Sequence, residues 1–264
     1  MRRNRVISTW VSLGLLVVCS QHLAGQVSEV QELETAAAAE KPPSAPAEEL
    51  APIAELIVSQ TNEFRKSQQL SPVVVDSDLT AAAQYFANYM ARTDRYGHTA
   101  DGQRPADRAT EHAYEYCIVS ENIAYQYSSA GFKNGELATK LVEGWKNSPG
   151  HRRNMLEPFV VETGVAVAQS ANTDHYYAVQ MFGRPKASSI EFSIENKSDD
   201  TVEYTIEERT FPLPPLAKRT HTRCRPPEVH MMFGEKNATQ TLKPESGHSY
   251  QVVLENGKLR AVLR

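Results

Sequence analysis

The sequence predicts an α+β protein with two folded parts, a helix-rich part followed by a small all-β part. Apolar residues recur at helical spacing three times between residues 53 and 145, and a buried strand with an antiparallel partner follows at 164–183. Short strand-like segments then continue to residue 263. Helices followed by a hairpin are typical of a sheet covered by helices. We therefore predict one domain at 52–185 and a second, β-rich domain at 186–264.

Residues 1–25 have the features of a secretory signal peptide. A cluster of arginines precedes the apolar stretch 6–18, and small residues before Gln26 suit cleavage there. The stretch is short for a membrane span. An uncleaved anchor and a lipoprotein attached at Cys19 are the alternatives. The pattern predicts a secreted protein, extracellular or periplasmic, with no transmembrane segment after cleavage.

Residues 26–51 are predicted to be a disordered linker. They are rich in alanine, glutamate and proline, and few of them could be buried to offset the entropy of ordering. The linker would act as a spacer between the cleavage site and the first domain.

The net charge argues against nucleic acid as a partner, and the cysteine count leaves the pairing of the cysteines undecided. The formal net charge of −4 is too small, and of the wrong sign, for nucleic acid to be an expected partner. Signal cleavage would remove Cys19 and leave Cys117 and Cys224. In an exported protein these two either form one disulfide, which would join the two domains, or remain as separate buried thiols.

Two helices are predicted at the start of the first domain. The apolar stripe at 53–70 is interrupted by Pro72. A second helix begins after Asp76 or Ser77 as N-cap, and it is predicted to end near Gly97, which suits the left-handed position after a helix.

The remaining elements of this domain follow in order. A short helix begins at Pro105, and residues 120–125 form a loop or a short extended segment. A helix at 134–145 precedes an antiparallel hairpin with arms at 164–168 and 176–183.

The second domain is predicted to be all-β, and its alternation suits a sandwich. Residues 190–194 and 202–206 alternate, and residues 250–254 and 259–263 resemble the arms of a hairpin. Asn256-Gly257 lies between the last two and predicts a tight hairpin turn. The prolines between residues 212 and 227 belong to loops or edge strands.

Three distant segments supply the candidate site. His98 follows the second helix on a loop, and Glu121 lies in the segment 120–125. Ser148 is predicted to cap a helix with Pro149 at its first position, which places His151 in the first turn. The positive end of the helix dipole favours a neutral imidazole there, as a metal ligand or proton acceptor requires.

These segments resemble the CAP superfamily, which includes cysteine-rich secretory proteins, venom antigens and pathogenesis-related proteins. The resemblance covers about residues 53–185 and is nearest to the bacterial branch. It is carried by these motifs: His98 before Asp101-Gly102 and Arg104, Ser120-Glu121-Asn122-Ile123-Ala124, Trp145-x-x-Ser148-Pro149-Gly150-His151-Arg152-x-Asn154-Met155-Leu156, Gly164-Val165-Ala166-Val167, and Gln180-Met181-Phe182-Gly183. It implies an α-β-α sandwich with a central antiparallel sheet and a surface cleft that holds histidines and acids.

The sequence departs from the family pattern at one acid. Many eukaryotic members carry a second cleft glutamate three residues after a tryptophan, and here that position is Ser148. The numerous family disulfides are also missing. The resemblance further implies lipid or sterol binding, but both departures weaken the transfer of a specific activity.

Two histidines and a carboxylate permit three interpretations. They could bind Zn²⁺ or another divalent cation, with Glu121 either as a ligand or orienting a histidine and serving as base. Alternatively, His151 simply hydrogen-bonds to Glu121 and fixes two loops. A hydrolase would need a nucleophile; Ser148 is expected to be engaged as a helix cap, and Ser120 has no other support. Arg152, Ser148 and Tyr125 are predicted to line the cleft.

The sequence thus predicts a secreted binding module more readily than an enzyme. Its cleft would take a divalent metal, a small hydrophobic ligand such as a lipid, a glycan or a peptide. The alternatives are a metal-assisted extracellular hydrolase with peptidase-like activity, and a non-catalytic structural or adhesive protein that uses its β domain to attach to a cell-surface partner.

Overall fold

The computed structural model describes residues 47–234 and 238–264. The predicted signal peptide at 1–25, and the predicted linker as far as residue 46, lie outside these residues. The five helices of the described part are α1 (Ala47–Ser67), α2 (Ser77–Thr93), α3 (Pro105–Glu111), α4 (Asn134–Asn147) and α5 (Pro149–Met155). The strands of the first sheet are β1 (Val74–Val75), β2 (Tyr116–Tyr127), β3 (Glu162–Gln169) and β4 (His175–Pro185).

The first sheet lies between two layers of helices. Its strand order is β1-β3-β4-β2, with β1 parallel to β3 and the other pairs antiparallel. Residues of α1, α4 and α5 share one apolar core with one face of the sheet, and residues of α2 and α3 share a second core with the other face. The predicted α-β-α sandwich is confirmed.

The first helix begins earlier than the sequence predicted. Residues 47–51 fall within the predicted linker, but they form the first turns of α1, and Leu50 is buried against the core. That assignment is wrong for these five residues. Alanine, glutamate and leucine are strong helix formers, so the composition that suggested disorder also favours a helix once Leu50 has a surface to cover.

The predicted start of α2 is confirmed, but its predicted end is wrong. Asp76 is the N-cap, and its Oδ1 accepts hydrogen bonds from the backbone N–H groups of Asp78 (3.0 Å) and Leu79 (2.9 Å). The helix ends at Thr93 and not near Gly97, because Asp94 adopts the left-handed conformation (φ 52°) at the C-cap. An aspartate tolerates this conformation better than most residues, so the helix stops there and leaves a longer loop before α3.

Residues 120–125 lie within β2 and not in a loop. This strand is twelve residues long and pairs antiparallel with β4, with Glu121 opposite Met181 and Tyr125 opposite Tyr177. The predicted β3–β4 hairpin is confirmed. Because β4 pairs with only one edge of β2, the other edge of β2 is open to the helices and loops around it.

The C-terminal part is all-β, as predicted, and it is a sandwich of two four-stranded sheets around one core. One sheet has the order β10-β9-β6-β7 and the other β12-β11-β5-β8. Its strands are β5 (Ile190–Asn196), β6 (Val202–Ile206), β7 (Arg209–Leu213), β8 (Lys218–Arg223), β9 (Val229–Phe233), β10 (Ala238–Leu242), β11 (Ser249–Glu255) and β12 (Lys258–Leu263). Asn256 and Gly257, both at positive φ, turn β11 into β12 as expected, and Pro212 lies on the edge strand β7.

The two cysteines that would remain after signal cleavage form a disulfide. Cys117 of β2 is bonded to Cys224, which follows β8, across a Cα–Cα distance of 5.3 Å. Beside it, Arg225 forms an ion pair with Glu157 at 3.2 Å. The bridge therefore joins the α-β-α part to the β-sandwich. Both parts belong to a single compact unit, and the domain boundary at residue 185 stays a prediction.

No helix within residues 47–234 and 238–264 is long and apolar enough to cross a membrane.

Acid is expected to destabilise the β-sandwich through His221. This residue is 6% exposed, and its Nε2 lies 2.8 Å from the Tyr204 hydroxyl oxygen. Burial, followed by the charges of Arg223 and Arg219, lowers the pKa of His221 from 6.5 to about 4. His221 is therefore protonated below about pH 6.5 in the unfolded chain but only below about pH 4 in the folded protein. Stability is lost as the pH falls through this window, by up to about 3 kcal/mol.

Urea unfolding at about pH 7 and about pH 5 measures this loss. His221→Gln keeps a polar partner for Tyr204 and removes the titrating group, so we expect the pH-dependent loss to shrink in this variant. His230→Gln, at an exposed histidine on β9, should leave the loss unchanged. Equal pH dependence in the wild type and His221→Gln would rule out His221 as its source.

Candidate functional site

The candidate site lies along the open edge of β2. The carbonyl oxygens on this edge accept hydrogen bonds from side chains instead of from another strand. Asn154 Nδ2 donates to the Glu121 carbonyl (3.1 Å), while Tyr96 Oη and Trp145 Nε1 both donate to the Ile123 carbonyl (3.1 Å each). These bonds satisfy the backbone of the edge strand. They also fix α5, and the loop between α2 and α3, on either side of it.

His98 and Glu121 form the best-defined pair of the site. His98 Nδ1 lies 2.8 Å from Glu121 Oε1, with the imidazole side chain 47% exposed and the carboxylate side chain 1% exposed. Because an ionised carboxylate can only accept hydrogen bonds, the His98 proton belongs on Nδ1. The lone pair of His98 Nε2 is then free to bind a ligand.

Arg108 holds this carboxylate in place. Its guanidinium is fully buried and donates to Glu121 Oε2 (2.7 Å), to Asp101 Oδ1 (2.9 Å) and to the His98 carbonyl (3.0 Å). It also lies 3.6 Å from the centre of the Phe86 ring on α2. One side chain therefore connects α3, the loop that carries His98, and the β2 residue that orients the His98 ring.

His151 faces His98 from the first turn of α5. The two ring centroids are 6.3 Å apart. Burial, followed by the nearby His98, lowers the pKa of His151 below its ordinary value, so the neutral imidazole is favoured. The sequence predicted this direction from the helix dipole, whereas burial is the larger cause. The His151 carbonyl accepts a hydrogen bond from Asn122 Nδ2 (3.2 Å), and Asn122 Oδ1 accepts another from Asn154 (2.9 Å).

A buried arginine fixes the far end of α5. Arg65 of α1 donates to the Met155 carbonyl (2.7 Å) and the Glu157 carbonyl (3.0 Å), where the helix leaves its carbonyls without partners. Asn154 and Asn122 fix the helix from the cleft side. The position of His151 is thus set by contacts at both ends of a seven-residue helix.

Ser148 does not act as predicted. It occupies the N-cap position in an extended conformation, but its side chain makes no capping hydrogen bond; only its carbonyl accepts from Arg152 N (2.8 Å). The predicted reason for excluding the Ser148 hydroxyl as a nucleophile is therefore wrong.

The predicted brace between His151 and Glu121 is also wrong, because His98 makes that hydrogen bond. Both Glu121 carboxylate oxygens are taken, one by His98 and one by Arg108. Ser120 lies next to Glu121 on the strand, so its side chain points to the opposite face of the sheet. Its Oγ is buried without a hydrogen-bond partner in the described part of the chain.

The other two predicted cleft residues lie at its borders. The Arg152 guanidinium is 4.8 Å from the centre of the Phe64 ring on α1. Tyr125 lies four residues beyond Glu121 on the same face of β2, about 13 Å along the strand. Its ring contacts Tyr96 edge to face at 5.0 Å.

Sequence reasoning missed the residues that position the histidines. Arg108, Arg65 and Asn122 are not candidate metal ligands, yet they hold Glu121, α5 and the His151 backbone. Arg108 follows a turn and a helix-starting proline, but nothing in its spacing separates it from the exposed Arg104 four residues earlier. Asn122 and Asn154 both belong to motifs of the family resemblance, and the position of Asn154 one turn after His151 was the available signal.

Comparison with protein families identifies the helix-rich part. The model of the cysteine-rich secretory protein (CAP) family matches residues 58–182. Residues 58–182 form a CAP domain. The match contains the whole cleft, including His98, Glu121 and His151.

The CAP domain has bacterial relatives. It is 28% identical over 117 residues to the uncharacterized protein YkwD of Bacillus subtilis, a match that covers 44% of this chain and 42% of YkwD. The match thus spans less than half the length of that relative. The resemblance to the bacterial branch of the family is confirmed.

Solved structures with similar chains include two bacterial proteins. An outer surface protein of Borrelia burgdorferi is 20% identical, with a TM-score of 0.46, and the match covers 56% of this chain and 99% of that one. An extracellular protein containing an SCP domain from Bacillus anthracis is 23% identical, with a TM-score of 0.42, and the match covers 51% of this chain and 41% of that one.

Proposed function

We propose that this protein is a secreted binding module whose CAP cleft holds a divalent cation, such as Zn²⁺, between His98 and His151. The hydrogen bond from His98 Nδ1 to Glu121 Oε1 carries the proposal, because it directs the free Nε2 away from the strand and supplies the supporting carboxylate typical of metal-binding histidines.

The two rings fit one ion after a small movement. Two histidines bound to a tetrahedral ion have ring centroids roughly 5 Å apart, compared with 6.3 Å between His98 and His151. An approach of about 1 Å is within reach of the half-exposed His98 side chain. No group of three or more His, Cys, Asp or Glu side chains in residues 47–234 and 238–264 is arranged to hold a metal. The site would therefore supply two protein ligands and bind its ion with modest affinity.

The hydrogen bonds to both carboxylate oxygens of Glu121 favour a binding function over hydrolysis. A bound ion would supply Lewis acidity and open positions for oxygen atoms of a ligand. A hydrolase would also need a free base, and both oxygens of Glu121 are already engaged by His98 and Arg108. A lipid, glycan or peptide ligand, and a cell-surface partner for residues 186–264, remain predictions.

A sequence pattern and a disulfide bond both support secretion. The signal-peptide pattern at 1–25 predicts export, and the disulfide between Cys117 and Cys224 suits an oxidising compartment. The two observations are independent of each other.

Calorimetric titration of the chelator-treated protein with ZnCl₂ tests the metal site. We expect saturable binding in the wild type, and at least a tenfold loss of affinity in His98→Ala and in His151→Ala, because each removes one of two ligands. His230→Ala, on the β-sandwich, should bind as the wild type does. Thermal unfolding of each variant shows that it is folded. Absence of saturable binding, or unchanged affinity in the His98→Ala/His151→Ala double variant, would overturn the proposal.

A further inference from the structure

A second pocket lies further along β2 and is lined mainly by aromatic rings. It has a volume of about 330 Å³, and its walls are Asp94, Tyr96, Tyr125, Thr173, His175 and Tyr177. Three structural elements contribute these residues: the loop after α2, the strand β2, and the β3–β4 hairpin. None of the residues that line it is a proposed metal ligand.

The rings in this pocket surround Tyr125 at several angles. Tyr96 and His175 contact Tyr125 edge to face at 5.0 and 5.2 Å, and Tyr177 is tilted against it at 6.1 Å. Tyr127, at the border of the pocket, is tilted against His175 at 5.4 Å. Tyr96, Tyr125 and Tyr127 remain about half exposed, so their rings are accessible to a ligand.

One carboxylate gives the pocket a negative charge. Burial raises the pKa of Asp94, but hydrogen bonds from Thr173, Tyr177 and neighbouring groups outweigh it and hold the pKa below its ordinary value. Asp94 Oδ1 accepts from Thr173 Oγ1 (2.8 Å) and from the Tyr177 hydroxyl (3.2 Å). Among the residues that the structure describes, no lysine or arginine lines the pocket, and the adjacent Arg95 donates to the Tyr89 hydroxyl (3.1 Å). The described lining therefore holds no lysine or arginine charge to compensate that of Asp94.

We propose that this pocket binds a quaternary ammonium group, such as the trimethylammonium of choline. Ring faces attract cations, and a quaternary ammonium gains most from them because it is weakly hydrated and donates no hydrogen bonds. Asp94 Oδ1 already accepts two hydrogen bonds, so the contribution of this oxygen to such a cation, which donates none, is charge. A neutral sugar would instead need free polar partners.

The ligand could be free choline or a lipid headgroup, since both carry the same cation. Titration with choline chloride tests the shared chemistry. Co-sedimentation with phosphatidylcholine vesicles, compared with phosphatidylglycerol vesicles, then distinguishes the sources. The full chain, without its predicted signal peptide, is used with EDTA present, so the result is independent of the proposed metal site.

We expect saturable binding of choline with a dissociation constant on the order of 1 mM or tighter. The neutral isostere 3,3-dimethylbutanol should bind at least tenfold more weakly. Tyr125→Ala should lose at least tenfold in affinity, whereas Tyr125→Phe, which keeps the ring, should stay within about twofold. Asp94→Asn keeps the left-handed conformation and removes the charge, so it should weaken binding severalfold.

Tyr85→Ala is the matched control, because Tyr85 is a partly exposed tyrosine of α2 that does not line this pocket. It should bind choline as the wild type does. The inference is overturned if choline gives no saturable signal, if 3,3-dimethylbutanol binds as tightly as choline, or if a neutral methyl glycoside binds in its place. Loss of affinity in Tyr125→Phe equal to that in Tyr125→Ala would also contradict a role for the ring.

Discussion

Arg108→Met is expected to lower the free energy of unfolding by about 3–5 kcal/mol. The methionine side chain fills similar space but leaves the buried carboxylates of Glu121 and Asp101 without their cation. Removing one partner of a buried ion pair is far more costly than removing an exposed one, because the remaining charge has lost both water and its counterion. Urea unfolding monitored by circular dichroism measures the change.

Arg104→Met is the matched control for this variant. Arg104 lies one turn before Arg108 and pairs with Asp107, but both side chains are largely exposed. Exposed pairs contribute little, so its unfolding curve should overlay that of the wild type. If Arg108→Met were as stable as Arg104→Met, the Arg108 network would not be what holds the His98 loop and Glu121 together.

Gly164→Ala is expected to cost about 3 kcal/mol or more. Gly164 lies on β3, where the first turn of α2 crosses the sheet, and a Cβ there would overlap the backbone atoms of Leu79 and Thr80. A flexible side chain could adopt another rotamer to avoid the overlap, but these backbone atoms cannot. The helix α2 must therefore move away from the sheet. The core between α2 and the sheet would lose part of its packing.

Gly144→Ala provides a control of the opposite sign. Gly144 lies inside α4, and a Cβ there would meet nothing within 4 Å. Alanine is the better helix former, so this variant should gain up to about 1 kcal/mol. Thermal and urea unfolding of the two variants should therefore shift in opposite directions. A Gly164→Ala protein as stable as the wild type would contradict the close packing of α2 on β3.

The sequence was most informative where one periodic pattern determines an element. The stripe of α4 and the apolar runs of β3 and β4 depend on neighbouring residues, so they could be predicted from the local sequence. His98, Glu121 and His151 were found for a different reason: each belongs to a motif shared with a family. The structure then showed that His98, and not His151, is the partner of Glu121.

What could not be predicted depends on contacts between distant segments. Arg104 is the N-cap of the short helix that contains Arg108, and only the folded chain shows that Arg108 is buried between Glu121 and Phe86. The end of α2 at Asp94 is similar, since hydrogen bonds from Thr173 and Tyr177, about 80 residues away, stabilise that aspartate. Local propensity alone favours Gly97 as the residue that ends the helix.

Anomalous diffraction from crystals of the protein soaked in ZnCl₂ locates a bound zinc ion in the cleft. At the zinc absorption edge, we expect one anomalous peak between the His98 and His151 rings, within bonding distance of a nitrogen of each, with Glu121 still hydrogen-bonded to His98 Nδ1. A soaked crystal with no peak at this position, or with zinc only at other histidines such as His230, would contradict it.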